Sequence, residues 1–446
     1  MKKQSFGYIL FLSIVAAIGG ILFGYDTAVI SGTIGVVSAQ FGLTTIQQGW
    51  YVGCALIGSI LGVSVAGLLS DNLGRKKTML IAALLFSISA IGCALCANFS
   101  QLVAYRIIGG IGIGVVSIVC PIYISEVAMA EKRGTLVSLY QLAITVGFLV
   151  AYLVNFLILN YVERGGSFAH PVMQKLFIQE YWRGMLGSET IPDLLFLILI
   201  FFIPESPRWL AVQGLKKERK ESDWKYLLEP GILFAVIVGS AIAILGQFMG
   251  VNAVLYYGPE ILRKAGLGGG DALFSQVLVG LVNFGTTIIA LMIIDKVGRK
   301  QLVYWGVSGM ILCLLMIGLY FWKGSAIGLG TGFLLTFFLL YVFCTAISIS
   351  AVVFVLLSEM YPNRVRGLAM SIAGLALWVG TYLIGQLTPW MLETLTPAGT
   401  FFLFAAMCVP YMLIMWKWIP ETTGKTLEEI EAYWKNRKHA YDSNVS

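Results

Sequence analysis

The sequence predicts an all-α membrane protein with twelve transmembrane helices arranged as two six-helix halves, and three observations predict it. Twelve apolar windows recur along the chain, each near the roughly 20 residues needed to cross a bilayer. Charge is scarce: mean hydropathy is +0.85, 58% of residues are hydrophobic and only 12% are charged, about half the usual share for a soluble domain. Short motifs of the first half also return in the second, in the same order and orientation, as in transporters built from parallel repeats.

The windows fall at roughly 8–30, 47–70, 78–97, 101–125, 135–160 and 184–203, then 231–257, 272–294, 301–321, 329–358, 366–388 and 399–419. The basic start MKKQ precedes an apolar run too long for a cleaved leader, so the first window is expected to remain as a span. This gives a first half at 1–210, a short charged linker at 211–229, a second half at 230–420 and a tail at 421–446. Arg164, Lys175, Arg183, Arg263, Lys264 and Lys323 fall on one side of the membrane, Arg106 lies within a span, and the other bases fall on the side of the two termini. The positive-inside rule makes that side the cytoplasm of a cell (inner) membrane. The net charge of +7 is thus read as topology, because the bases form short clusters between spans and make no nucleic-acid face.

In the first window, GGILFGYDTAVISG sets Asp26 in an apolar run. A carboxylate at that depth is costly and functional by default. Arg106 is the only base within a span and is the expected partner, so protonation of Asp26 would release Arg106 and couple proton movement to rocking of the halves. Glu189 lies four residues before Asp193 in the sixth window, and no partner for Asp193 can be named from the sequence.

The loop motif Asp71-Asn-Leu-Gly-Arg75 returns as Asp295-Lys-Val-Gly-Arg299. Ser125-Glu126 with Arg133-Gly134 returns as Ser358-Glu359 with Arg366-Gly367, and Pro204-Glu205-Ser-Pro-Arg208 has an echo at Pro420-Glu-Thr. These acids and bases are expected to form a gating network of ion pairs at the cytoplasmic ends. The run Gly110-Ile-Gly-Ile-Gly114 lies in an apolar helix with no preceding strand, so it is read as a close helix contact and not as a phosphate loop.

Polar groups able to meet a ligand are available in the spans as Gln141, Gln247, Asn252 and Asn283, with Phe23, Tyr256, Tyr257 and Trp378 as aromatic candidates. Seven cysteines all lie in spans, where sulfur acts as a small hydrophobe, and Cys93-Ala-Leu-Cys96 has no second pair or nearby histidine. There is no nucleotide loop, catalytic triad or metal cluster, so neither an enzyme nor an ATP-driven pump is expected, and no cofactor or metal.

The motifs GLLSDNLGRKK (67–77), PIYISEVAMAEKRG (121–134), PESPRWL (204–210), GVNAVLYY (250–257), DKVGRK (295–300), SEMYPNRVRG (358–367) and PETTGKTLEEIE (420–431) resemble those of the sugar porter family of the major facilitator superfamily. Bacterial D-xylose and hexose proton symporters are the members most similar. The resemblance implies the major facilitator fold and proton-driven uptake of a monosaccharide by a monomer. It implies Asp26 as the proton site, coupled with Arg106 and the family acid Glu189, Gln141, Gln247, Asn252 and Asn283 as sugar ligands, and Tyr256 as a gate. Departures are Gly246 before Gln247, Ser350-Ala-Val-Val-Phe354 in place of Gly-Pro-x-x-Trp, Leu377 before Trp378, and the short linker. Together they remove about two sugar hydrogen bonds, each contributing ~0.5–1.5 kcal/mol. A proton-independent uniporter, or a sugar sensor that binds without transport, would keep the same fold.

Overall fold

The computed structural model describes residues 6–129, 133–212, 225–362, 365–422, 425 and 429–435. Twelve helices among them are long and apolar enough to cross a membrane. They are α1 (Phe6–Gly32), α2 (Thr45–Leu73), α3 (Arg75–Leu95), α4 (Phe99–Val127), α5 (Gly134–Glu163), α6 (Tyr181–Phe201), α7 (Pro230–Lys264), α8 (Gly269–Ile294), α9 (Arg299–Lys323), α10 (Thr331–Met360), α11 (Arg366–Thr394) and α12 (Thr396–Lys417). Every apolar window has its helix.

Two helices depart from their windows for physical reasons. The seventh runs on to Lys264 through Pro259, and it is interrupted at Gly250, whose φ of +91° is open to glycine. The tenth contains a π-helical segment, Ala346–Ser350, within the stretch where the resemblance leads one to expect a glycine-proline hinge. Ser348 Oγ donates to Cys344 O at 2.5 Å there, so a hydroxyl back-bond and a widened turn come just before Ala351, which takes the place of the proline. Residues 213–224 of the linker and the side chain of Phe354 lie outside the described residues.

Two compact units are formed. One holds Met1–Gly214 with Asn252–Phe284 and Gly385–Glu393, and the other holds Leu215–Val251, Gly285–Ile384 and Thr394–Ser446. In the first unit, segments of α7, α8 and α11 therefore pack with α1–α6. Tyr152 of α5 donates to Leu255 O of α7 at 2.9 Å, Phe156 packs on Phe274 of α8, and Gln386 of α11 donates to Ile46 O of α2 at 3.1 Å. In the second unit, residues 429–435 lie on the start of α7, with Trp434 buried beside Phe234.

Lipid tails are as apolar as the side chains, so helices in the first unit associate by close packing of small residues. The glycines read from the sequence as a packing motif do this. A Cβ on Gly110 would lie 2.0 Å from Ala55 O, and one on Gly114 2.3 Å from Ser59 O. From the other side, Gly58 and Gly62 of α2 face Ile107 O and Ile111 O equally closely. Replacing Gly110 with valine is expected to cut the monodisperse yield in detergent, read by size exclusion, by about fivefold or more. Gly67→Val, on the same helix pair with open space around it, is the control expected to change little.

Candidate functional site

Asp26 and Arg106 are brought together in the first unit. Both are buried, and Arg106 Nη1 donates to Asp26 Oδ1 and, at 3.4 Å, to the Asp26 backbone oxygen. The pairing follows from the packing of α1 against α4, which Gly19 permits by lying against Cys120 and Val116. It is incomplete: Asp26 Oδ2 and Arg106 Nε have no hydrogen-bond partner among the described residues. Gly109 leaves room for that free oxygen, since a Cβ there would stand 2.8 Å from it. A buried polar pair left partly unsatisfied is costly to keep in a low dielectric.

Glu189 and Asp193 are buried on α6, where Glu189 Oε1 and both oxygens of Asp193 have no hydrogen-bond partner among the described residues. Beside them Tyr25 and Ser188 share a hydrogen bond of 2.7 Å.

The sugar candidates divide between the units. Phe23, Gln141, Asn252, Tyr256 and Asn283 belong to the first, and Gln247 and Trp378 to the second. Asn252 and Tyr256 are buried on α7 just past its break, while Gln141 and Asn283 are partly exposed. In the second unit Thr381, one turn beyond Trp378 on α11, donates to Gln247 Oε1 at 3.2 Å. Trp378 is buried on the same helix.

Further along α7, the site of Pro259 depends on a residue not singled out from the sequence. Pro259 has no N–H, so the carbonyl of Leu255 loses its helical donor. Gln276 of α8, fully buried, donates to that carbonyl at 3.1 Å, and Tyr152 donates to it as well. Asn155 of α5 likewise donates to Val29 O at 3.0 Å, where α1 ends in a tightened turn.

At the terminus-side ends, the repeated motifs form two matching clusters. In the first unit Arg75 bonds Glu126 through Nε and Nη2 at 3.0 and 2.9 Å and Asp71 at 3.2 Å. Glu205 accepts from the backbone N–H groups of Arg75 at 2.9 Å and Lys76 at 3.2 Å, capping α3. In the second unit Arg299 bonds Glu359 at 3.0 Å, and Glu421 accepts from the Lys300 N–H at 3.1 Å, capping α9. Gly74 and Gly298, with φ of +95° and +99°, make the turns that aim both caps. Thus Glu205 acts through backbone, and Glu421 is its counterpart. Arg208 is exposed, and Arg366 donates to the Tyr361 carbonyl at 3.5 Å and interacts electrostatically with Glu359. The side chains of Arg133 and Asp295 lie outside the described residues.

The family model described as "Sugar (and other) transporter" matches residues 12–223 and 212–434. The arabinose-proton symporter of Bacillus subtilis is 36% identical, with 97% of this chain and 96% of the relative covered. The D-xylose-proton symporter of Escherichia coli is 36% identical over 96% of both chains. Among solved structures, the inward open conformation of the E. coli xylose transporter XylE superposes with a TM-score of 0.80 at 37% identity, covering 96% of this chain and all of the other. The fold is that of the major facilitator superfamily, to which the same symporter bound to 6-bromo-6-deoxy-D-glucose is assigned, at a TM-score of 0.77, 35% identity and coverage of 96% of this chain and 99% of that one. Motifs, fold and near full-length matches agree, and the chain belongs to the sugar (and other) transporter family.

Proposed function

We propose that this protein takes up a monosaccharide together with a proton by alternating access of two six-helix halves. The observation that carries the proposal is the buried Asp26–Arg106 pair with a free carboxylate oxygen. An ion pair held only by α1 and α4 would serve structure best if fully bonded, whereas one spare oxygen leaves a place for a proton. Protonation removes the charge that holds Arg106, which frees the pair to rearrange with the rocking motion.

In this reading the sugar is bound by amides of Gln141, Gln247, Asn252 and Asn283, with Phe23, Tyr256 and Trp378 against its apolar face. Asp71, Arg75, Glu126, Arg133, Glu205 and Arg208, with Asp295, Arg299, Glu359 and Arg366, hold the cytoplasmic ends, and the cluster of bases there supports cytoplasmic termini. The relatives named for arabinose, D-xylose and glucose support a pentose or hexose as the cargo.

The test is purified protein in proteoliposomes with D-xylose, L-arabinose and D-glucose in turn, recording sugar counterflow and sugar-induced proton movement together. Counterflow with proton movement is the expected result. Counterflow without proton movement would make it a uniporter, and sugar binding without counterflow a sensor.

A further inference from the structure

Two buried acids, Glu189 and Asp193, are unused by this reading. Glu189, Asp193, Phe196 and Ile200 follow one another on the buried stripe of α6, while Ile191, Leu194, Leu195 and Ile198 face outward. A leucine would fill the place of Asp193 as well as its neighbours fill theirs, yet a carboxyl group stands there with both oxygens unbonded. The two bases buried among the described residues are already committed. Arg106 holds Asp26, and Arg183, on the same span, donates to Glu180 at 2.5 Å and to the carbonyls of Ala94 and Cys96. From the helices packed on this stretch, the titratable groups near this level are Tyr25 and Asp26 of α1 and Cys93 of α3, with Arg106 behind them on α4.

The depth of Asp193 follows from contacts. Tyr25 meets Ser188, and Gly19 meets Phe196, so α1 and α6 run antiparallel. Asp26 then lies nearest Ser188, Glu189 is next, and Asp193 is one turn, about 6 Å, further toward the terminus-side end. The three acids are thus ordered in depth along one helix interface.

We propose that Asp193 is a second proton-holding carboxylate of the transport cycle, and that a proton leaving Asp26 passes through Glu189 to Asp193 on its way to the cytoplasm. In each step one O–H bond breaks on the donor acid as another forms on the acceptor carboxylate, so no other reactant is needed. Separating the release station from Asp26 lets Asp26 re-form its bond to Arg106 before the proton has left the protein. This inference rests on the proton-coupled reading above.

The experiment compares wild type, Asp193→Asn and Asp193→Glu as full chains in proteoliposomes with D-xylose, or with whichever sugar the wild type exchanges. Three readouts are taken: counterflow, sugar-induced proton uptake, and the pH dependence of proton-driven accumulation. Asp193→Asn is expected to keep counterflow within about twofold, while proton uptake and driven accumulation fall at least tenfold. Asp193→Glu is expected to restore both with a displaced pH profile. Proton uptake within twofold of wild type and an unchanged pH profile in Asp193→Asn would overturn the proposal. So would loss of folding or counterflow in both variants, which assigns Asp193 a structural role. A wild type that exchanges sugar without moving protons defeats the coupled reading itself, a result distinct from either.

Discussion

Asp26→Asn is expected to end uphill sugar accumulation while exchange continues. Asparagine keeps the size of the side chain and can still accept from Arg106, so the contact of α1 with α4 at Gly19 is undisturbed. It has no titrating oxygen, so the cycle has no means of taking up a proton at this point. Arg106 is then buried without an anion, and removing one partner of a buried pair costs about 3–5 kcal/mol where no relaxation follows. Part of that is recovered through the Asp26 backbone oxygen, which Arg106 already reaches at 3.4 Å and which the substitution leaves in place. The expected result is a fall of about a hundredfold or more in proton-driven accumulation and in sugar-induced proton uptake, with counterflow within about fivefold, since 1.4 kcal/mol corresponds to tenfold. A lower thermal midpoint in detergent should accompany it. Undiminished proton movement in Asp26→Asn would remove Asp26 from the coupling mechanism.

Breaking the duplicated clusters should slow turnover more than it weakens binding. Arg75 is nine-tenths buried and bonds Glu126 through two nitrogens, a fork geometry that glutamine cannot match. Glu126→Gln leaves Arg75 with Asp71, whose carboxylate is mostly exposed. The cost is about 2 kcal/mol, below the figure for a fully buried pair because water reaches part of the site. Since this arrangement is present in the conformation described, the population should move away from it by about thirtyfold. Net transport is expected to fall by about tenfold while equilibrium sugar binding stays within about threefold. Glu359→Gln should act alike but more weakly, because Glu359 is a quarter exposed and also accepts from Thr422 at 2.6 Å. Initial rates of counterflow beside a binding titration measure the two effects separately. An equal loss in both would mean that the clusters support the sugar site and not the motion.

The membrane helices were legible because apolar length is a one-dimensional signal, and Asp26 and Arg106 because a charge inside such a length stands out. Gly110 and Gly114 were legible for a similar reason, since small residues at that spacing in an apolar helix have few other uses. Glu205 and Glu421 were harder. The repeat placed them in matching positions, but only the fold aims each carboxylate at the N-terminus of a helix more than a hundred residues away. Gln276 and Asn155 could have been found by the rule that picked out Gln141 and Asn283, a polar amide inside an apolar window. Their actual task, serving backbone carbonyls at a proline within a helix and at a helix end, depends on which helix lies next to them. Thr381 offered no signal, since a threonine in a span usually bonds its own helix, as this one also does at Leu377 O.

The carbonyl of Leu255, orphaned by Pro259, has two donors of different origin. Gln276 comes from α8, adjacent in sequence and in the same half of the chain, and Tyr152 from the opposite half. If the halves separate at this level, the Tyr152 bond is given up, yet the carbonyl keeps its amide donor and is never left bare in the membrane. The proline site in α7 therefore works as a two-handed clasp that can let go with one hand, so that opening costs a single hydrogen bond, about 0.5–1.5 kcal/mol, and not the several that a stranded backbone group would demand. Tyr152→Phe should accordingly loosen closure of that side with little harm to folding, whereas Gln276→Leu should damage folding itself.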